Sequence, residues 1–174
     1  MNTRYSRLLL AFLLILVVPQ VRADELPEDG PYVKYYENGK KKLEGHLKNG
    51  KKDGRETWWH DNGKKQAEGH YKDGEWDGLW TEWDDNGQKR SEVHYKDGEK
   101  VGLEIRWHFN GEKESERHYK NGKQDGLWTW WDPGGRKARE GHWKNGNKDG
   151  LWTRWYVNGK KKSEYRYKNG KRVR

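Results

Sequence analysis

None of the 174 residues is cysteine, one is methionine and two are phenylalanine. The missing cysteine excludes a disulfide framework and a lipid carried on an N-terminal cysteine. Apolar runs are scarce too. The longest is Leu8 to Val18, and nothing beyond Ala23 is apolar enough to cross a membrane. No glycine-rich phosphate loop precedes a helical pattern, and Ser91, Ser115 and Ser163 recur at one phase instead of marking a single special place. These gaps lead us to expect no catalytic residue, no metal and no cofactor. With 30% hydrophobic and 37% charged residues, the composition alone would suggest a disordered chain. Against that stand 12 tryptophans, most at fixed phase, and large rings placed periodically are packing residues.

The first 23 residues carry Arg4 and Arg7, then the apolar run, then Pro19, with Ala23 two places after Val21. That is the layout of a secretory signal cut before Asp24, so the expectation is an exported, soluble protein, periplasmic or extracellular. Residues 24–28 read as a short linker.

From residue 29 one pattern is written six times at a spacing of 24 residues, over 29–52, 53–76, 77–100, 101–124, 125–148 and 149–172. In the third copy Leu79 to Asp84 and Lys89 to Lys96 are strand-like runs separated by Asn86-Gly87, and Asp97-Gly98 leads into the next copy. Each copy is predicted to be a β-hairpin. Because the fifth copy reads Asp132-Pro133-Gly134-Gly135-Arg136, and proline suits the first corner of a type I turn, the first loop is predicted to have three residues, with Asp84 opposite Gln88. The expected architecture is all-β: an elongated single-layer antiparallel solenoid of about twelve strands, roughly 55 to 60 Å long at ~4.8 Å per strand.

If the Lys96-Asp97-Gly98 loop also has three residues, parity sorts the side chains. Leu79, Thr81, Trp83, Ser91, Val93 and Tyr95 then share the odd face, and the Trp83 and Tyr95 series form its two aromatic columns. The even face carries a glutamate column (Glu44 to Glu164), a histidine column (His46 to His142), and Trp80, Trp128 and Trp152 with Trp58 and Trp130. Corresponding histidines of successive copies lie about 9.5 Å apart, too far to share one zinc, so a structural Glu/His/Lys ladder is expected in place of a metal site.

With a glycine opening the first strand, Trp or Tyr before an Asn-Gly-Lys turn, and Tyr-Lys-Asn/Asp-Gly-Lys closing the unit, the chain resembles the MORN repeat (membrane occupation and recognition nexus) in its bacterial variant form, over residues 29–172. The fourth copy departs most, with Val101 for Asp, Glu104 for Trp and Phe109 before its turn. The resemblance implies an extended, curved antiparallel sheet. For function it implies membrane or lipid association or protein interaction, and among bacterial members an antitoxin role.

Residue patterns nominate two surfaces. Trp80, Trp128, Trp130 and Trp152 with Arg154 form an aromatic and basic platform suited to a sugar or a peptide. The Lys160, Lys161 and Lys162 turn suits anionic lipid or an acidic envelope polymer. Copy by copy the net charge runs +4, −2, −3, +1, +2 and +6, so the basic residues crowd the two ends, where they guard open sheet edges. The acid-rich middle and the expected export argue against nucleic acid. The leading expectation is a non-catalytic exported scaffold for a protein or an anionic envelope component. Two others are an antitoxin or immunity-like protein and a lipid-associating protein, and pairing with a second copy would cover an aromatic face.

Overall fold

The computed structural model describes residues 26–173, so the proposed signal, residues 1–23, lies outside the described residues. The chain forms one antiparallel sheet in sequence order, as the aromatic and β-branched runs between turn formers predict. The strands are β1 (Gly30–Tyr35), β2 (Lys41–Lys48), β3 (Lys51–Lys52), β4 (Gly54–Trp59), β5 (Lys65–Lys72), β6 (Glu75–Trp76), β7 (Gly78–Trp83) and β8 (Lys89–Lys96). They continue as β9 (Glu99–Trp107), β10 (Lys113–Lys120), β11 (Lys123–Trp131), β12 (Lys137–Lys144), β13 (Asn147–Trp155), β14 (Lys161–Lys168) and β15 (Lys171–Val173). The short β3 and β6 pair only with β2 and β5, and every other strand lies between its sequence neighbours or at an end.

The first loop of each unit is the three-residue turn expected from the proline of the fifth copy. Asp84 N–H donates to the Gln88 carbonyl at 2.9 Å and Gly87 N–H to the Asp84 carbonyl at 2.8 Å, with Gly87 at φ 88°. The second turn is not what parity needed. Lys96 pairs directly with Glu99, so Asp97 and Gly98 form a two-residue turn with φ of 47° and 74°. Asn49, Asp73, Asn121, Asn145 and Asn169 also sit at positive φ, near 50°, which explains why only Asn or Asp precedes the glycine. Asn121→Val is expected to cost about 1 to 2 kcal/mol in urea unfolding, whereas Asn121→Gly stays near wild type.

One step beyond the first loop comes a further departure. Trp83 pairs with Lys89 but Glu82 with Ser91, so Arg90 is an extra residue, a β-bulge, and all six hairpins shift register at this place. The bulge and the two-residue turn each reverse parity once per unit, and together they restore it after 24 residues. The prediction that odd residues share a face is therefore corrected. Even residues of the first strand share a face with odd residues of the second, and the Trp83 and Tyr95 columns point to opposite sides. At the Asp-Gly step, Gly102 and Leu103 are skipped between the pairs His94 with Val101 and Val93 with Glu104, and two skipped residues leave parity intact.

One face of the ribbon is a ladder of Glu, Lys, Thr and the Trp83 column. Lys41, Lys65, Lys89, Lys113 and Lys137 each reach the glutamate three residues on, and each lies 5.4 to 5.8 Å from the ring centroid of the next unit's tryptophan. Thr57, Thr129 and Thr153 donate to Glu68, Glu140 and Glu164. The opposite face, the indole face, holds the apolar contacts: Tyr32, Leu43 and Leu47 with Trp58, then Ala67, Trp80 and Val93 with Tyr71, Trp76 and Tyr95. With no second layer among the described residues, nearest-neighbour packing of rings supplies the stability.

Candidate functional site

The indole face is built around one slot of the first strand, occupied in turn by Tyr32, Glu56, Trp80, Glu104, Trp128 and Trp152. Each tryptophan there is nearly covered, Trp80 at 8% exposure and Trp128 and Trp152 at 5%. Trp128 and Trp152 donate their indole N–H to the backbone carbonyls of His118 and His142 at 3.0 Å, which fixes ring tilt. Trp80 lies over Gly69 and Trp152 over Gly141, with the ring where a side chain would begin. Trp76 stacks on Trp80 at 4.9 Å, and Trp128, Trp130, Trp143, Trp152 and Tyr167 continue the row at 5.1 to 6.2 Å.

The sequence-nominated residues therefore divide. Trp80, Trp128, Trp130, Trp152 and Arg154 share the indole face, and the expectation that they stand beside the Glu and His columns is corrected, because the bulge turns the second strand over. Three of those rings are structural in that they are buried, while half-buried Trp130 and exposed Arg154 remain reachable. The Lys160 to Lys162 turn lies at the sheet margin, where Lys161 is held by Glu164 at 2.6 Å and Lys162 lies 5.3 Å over the Tyr156 ring.

Where glutamate replaces tryptophan in the slot, cations gather. Glu56 accepts from Lys52, Trp58 and the Tyr32 hydroxyl. Glu104, 1% exposed, is approached by Lys100 at 2.7 Å, Arg106 at 3.2 Å, Arg117 at 3.5 Å and the Tyr119 hydroxyl at 3.3 Å. Burial alone would raise the Glu104 carboxyl, but the Lys100 hydrogen bond and the charges of Arg106 and Arg117 hold it below the ordinary range. Burial, and then the Glu104 and Glu82 charges, push the Tyr95 phenol up to about 12. A phenol raised on folding contributes stability that is whole below its unfolded value, near 10, and is lost as pH rises through about 12. Alkaline unfolding is thus expected to accompany the phenolate absorbance of Tyr95, and Tyr95→Phe is expected to remove that part of the pH dependence.

A cleft of about 670 Å³ opens between the second and third units, lined by Trp58, Tyr71, Trp76 and Trp80, by the acidic Glu82, Asp84 and Asp85, and by Arg90. Glu82 takes a hydrogen bond from Ser91 at 2.8 Å, and among the described residues none of the three carboxylates has a Lys or Arg within ion-pair distance. The equivalent of Asp84 two units on, Asp132, is neutralised by Arg136 at 3.0 Å, whereas Gln88 stands at the corresponding place in the third unit. Sequence reading missed this cleft and the buried glutamates. Their signal lies in the irregular slot and in the run of acids in the third unit.

Six consecutive segments, 28–49, 52–73, 76–97, 100–121, 124–145 and 148–169, match the family model of the MORN repeat variant. No curated protein matches the chain significantly.

Proposed function

Because the chain belongs to the MORN repeat variant family, whose units are generally binding and scaffold modules, we propose that it is a non-catalytic, exported scaffold that holds a partner protein against its indole face. The observation that carries this reading is the cleft of the second and third units. Indole walls beside carboxylates that lack a cation fit a partner segment presenting a lysine or arginine side chain, stacked on rings and paired with Glu82 and Asp84. Trp128→Ala and Trp152→Ala would be poor probes, since both rings are buried and their loss damages the sheet.

The test compares wild type with a Glu82→Gln, Asp84→Asn double variant in pull-downs from cell-envelope extract and in titrations with a tryptophan-free lysine-rich peptide followed by indole fluorescence. Loss of the captured protein together with at least tenfold weaker peptide binding supports the cleft. Equal capture and equal peptide affinity would remove it. The antitoxin-like alternative is read in the same material: a captured partner that is a toxic effector, relieved by co-expression, favours it.

A further inference from the structure

A second site lies on the same face, two units away from the cleft and opposite in charge. We infer that Arg139, Lys148 and Arg154 form a binding site for one oxyanion group, a phosphate, sulfate or carboxylate. From Gln124 to Arg172 the register brings these three cations to the indole face, with Arg172 over the Tyr165 ring, and among the described residues no Asp or Glu lies within ion-pair distance of Arg139, Lys148 or Arg154. Arg139 and Arg154 stand directly opposite each other across β12 and β13, an arrangement of like charges that disfavours the sheet unless something neutralises it. They surround a small cavity of about 110 Å³ with Lys148, Ser163, Tyr165 and Tyr167, closed below by Trp152.

The rings hold the cations without neutralising them. Arg139 stacks between Trp130 and Trp152, its guanidinium carbon 5.0 and 4.7 Å from their centroids, and Lys148 sits 4.6 Å from Trp152 and 5.0 Å from Tyr167. A stacked guanidinium keeps its donor edge free, and that fork matches two oxygens of a carboxylate or phosphate. The Arg139 Nε is buried with no hydrogen-bond partner. Burial, followed by the charge of Arg154, makes Arg139 easier to deprotonate, and burial with the charges of Arg139 and Arg154 does the same to Lys148. Where glutamate fills the slot on this face, the nearby cations meet it: Lys52 meets Glu56, and Lys100, Arg106 and Arg117 meet Glu104. The fifth and sixth units lack only that partner. A carboxylate, phosphate or sulfate from outside would take the place that Glu104 fills in the fourth.

The experiment measures thermal midpoints of wild type, Arg154→Gln, the Arg139→Gln, Arg154→Gln pair and the exposed control Arg136→Gln. Each is read in chloride and in inorganic phosphate at equal ionic strength. Wild type and the control are expected to rise in phosphate. Arg154→Gln is expected to start higher than wild type in chloride, because the repulsion is gone, and to respond to phosphate at least tenfold less sensitively in concentration. A purely structural stack would give neither result. Equal midpoints of wild type in the two salts, or an unchanged phosphate response in the double variant, would overturn the site. A further arm uses phosphatidylglycerol vesicles. Binding lost in the double variant assigns the oxyanion to a lipid headgroup, and phosphate binding without vesicle binding assigns it to a soluble or polymeric source. Because the cleft of the second and third units is untouched, failure here leaves the Glu82 and Asp84 test standing.

Discussion

Gly141→Val lowers the unfolding free energy by about 3 kcal/mol, the upper part of the range for overpacking a filled site. The side chain of Trp152 crosses the sheet directly above Gly141, and an added Cβ would fall within the ring. The ring has no free direction in which to retreat. Its indole N–H is tied to the His142 carbonyl, Trp143 meets it edge-on at 5.3 Å, and Arg139 covers it. Moving it would expose one of the most covered apolar side chains of the fold, so the cost divides between strain and lost burial. Urea unfolding with m held constant checks the value, and Lys162→Ala, at an exposed margin, is the control expected within about 0.5 kcal/mol of wild type. Gly69→Val is expected to behave alike, because Trp80 lies over that glycine in the same way.

Glu104→Gln is the second large effect, a loss of about 3 kcal/mol. The carboxylate is buried among Lys100, Arg106 and Arg117, and the amide leaves those cations facing one another with no anion between them. All three keep part of their surface in water, which holds the cost at the lower end for a broken buried pair. The acid limb gives an independent signature. A carboxyl held below its ordinary value of 4.5 contributes stability that is present above that pH and is lost as pH falls through the folded value. Wild type is therefore expected to lose stability on acidification below about pH 4.5 more steeply than Glu104→Gln. Chemical unfolding at pH 7 and pH 3 reads the difference, which shrinks at the lower pH.

The sheet itself was legible in the sequence because its signals are local. Asn-Gly and Asp-Gly at fixed spacing name the turns, aromatic and β-branched runs name the strands, and Pro133 settles the length of the first loop. The faces were not legible by parity, since parity is a running count and one unforeseen residue inverts everything after it. Arg90 and its equivalents supply that residue, and nothing in their chemistry marks a bulge. A pairwise signal did exist. Thr57 with Glu68, Thr129 with Glu140 and Thr153 with Glu164 recur as polar partners, and placing each pair on one face requires the inversion that the bulge provides. Glycine at 45, 69 and 141, opposite the large rings of Tyr32, Trp80 and Trp152, points the same way.

Of the nominated site, Trp130, Trp152 and Arg154 are brought together in the fifth and sixth units. Arg139 and Lys148 are neighbours there only through cross-strand pairing, which the wrong parity concealed. The cleft at Glu82 was hidden for the same reason, because the odd-even reading put Trp80 and Tyr71 on opposite sides, whereas their rings meet edge-on at 6.3 Å.

The two-sided arrangement of the ribbon is tested most directly by proton NMR cross-relaxation among assigned side chains of the third unit. Strand pairing of Trp80 with Val93 predicts cross-peaks between the Trp80 indole and the Val93 methyls, and between the Trp83 indole and the Lys65 side chain. Cross-peaks joining the Trp83 indole to Val93 or Tyr95, with none from Trp80 to Val93, would contradict it.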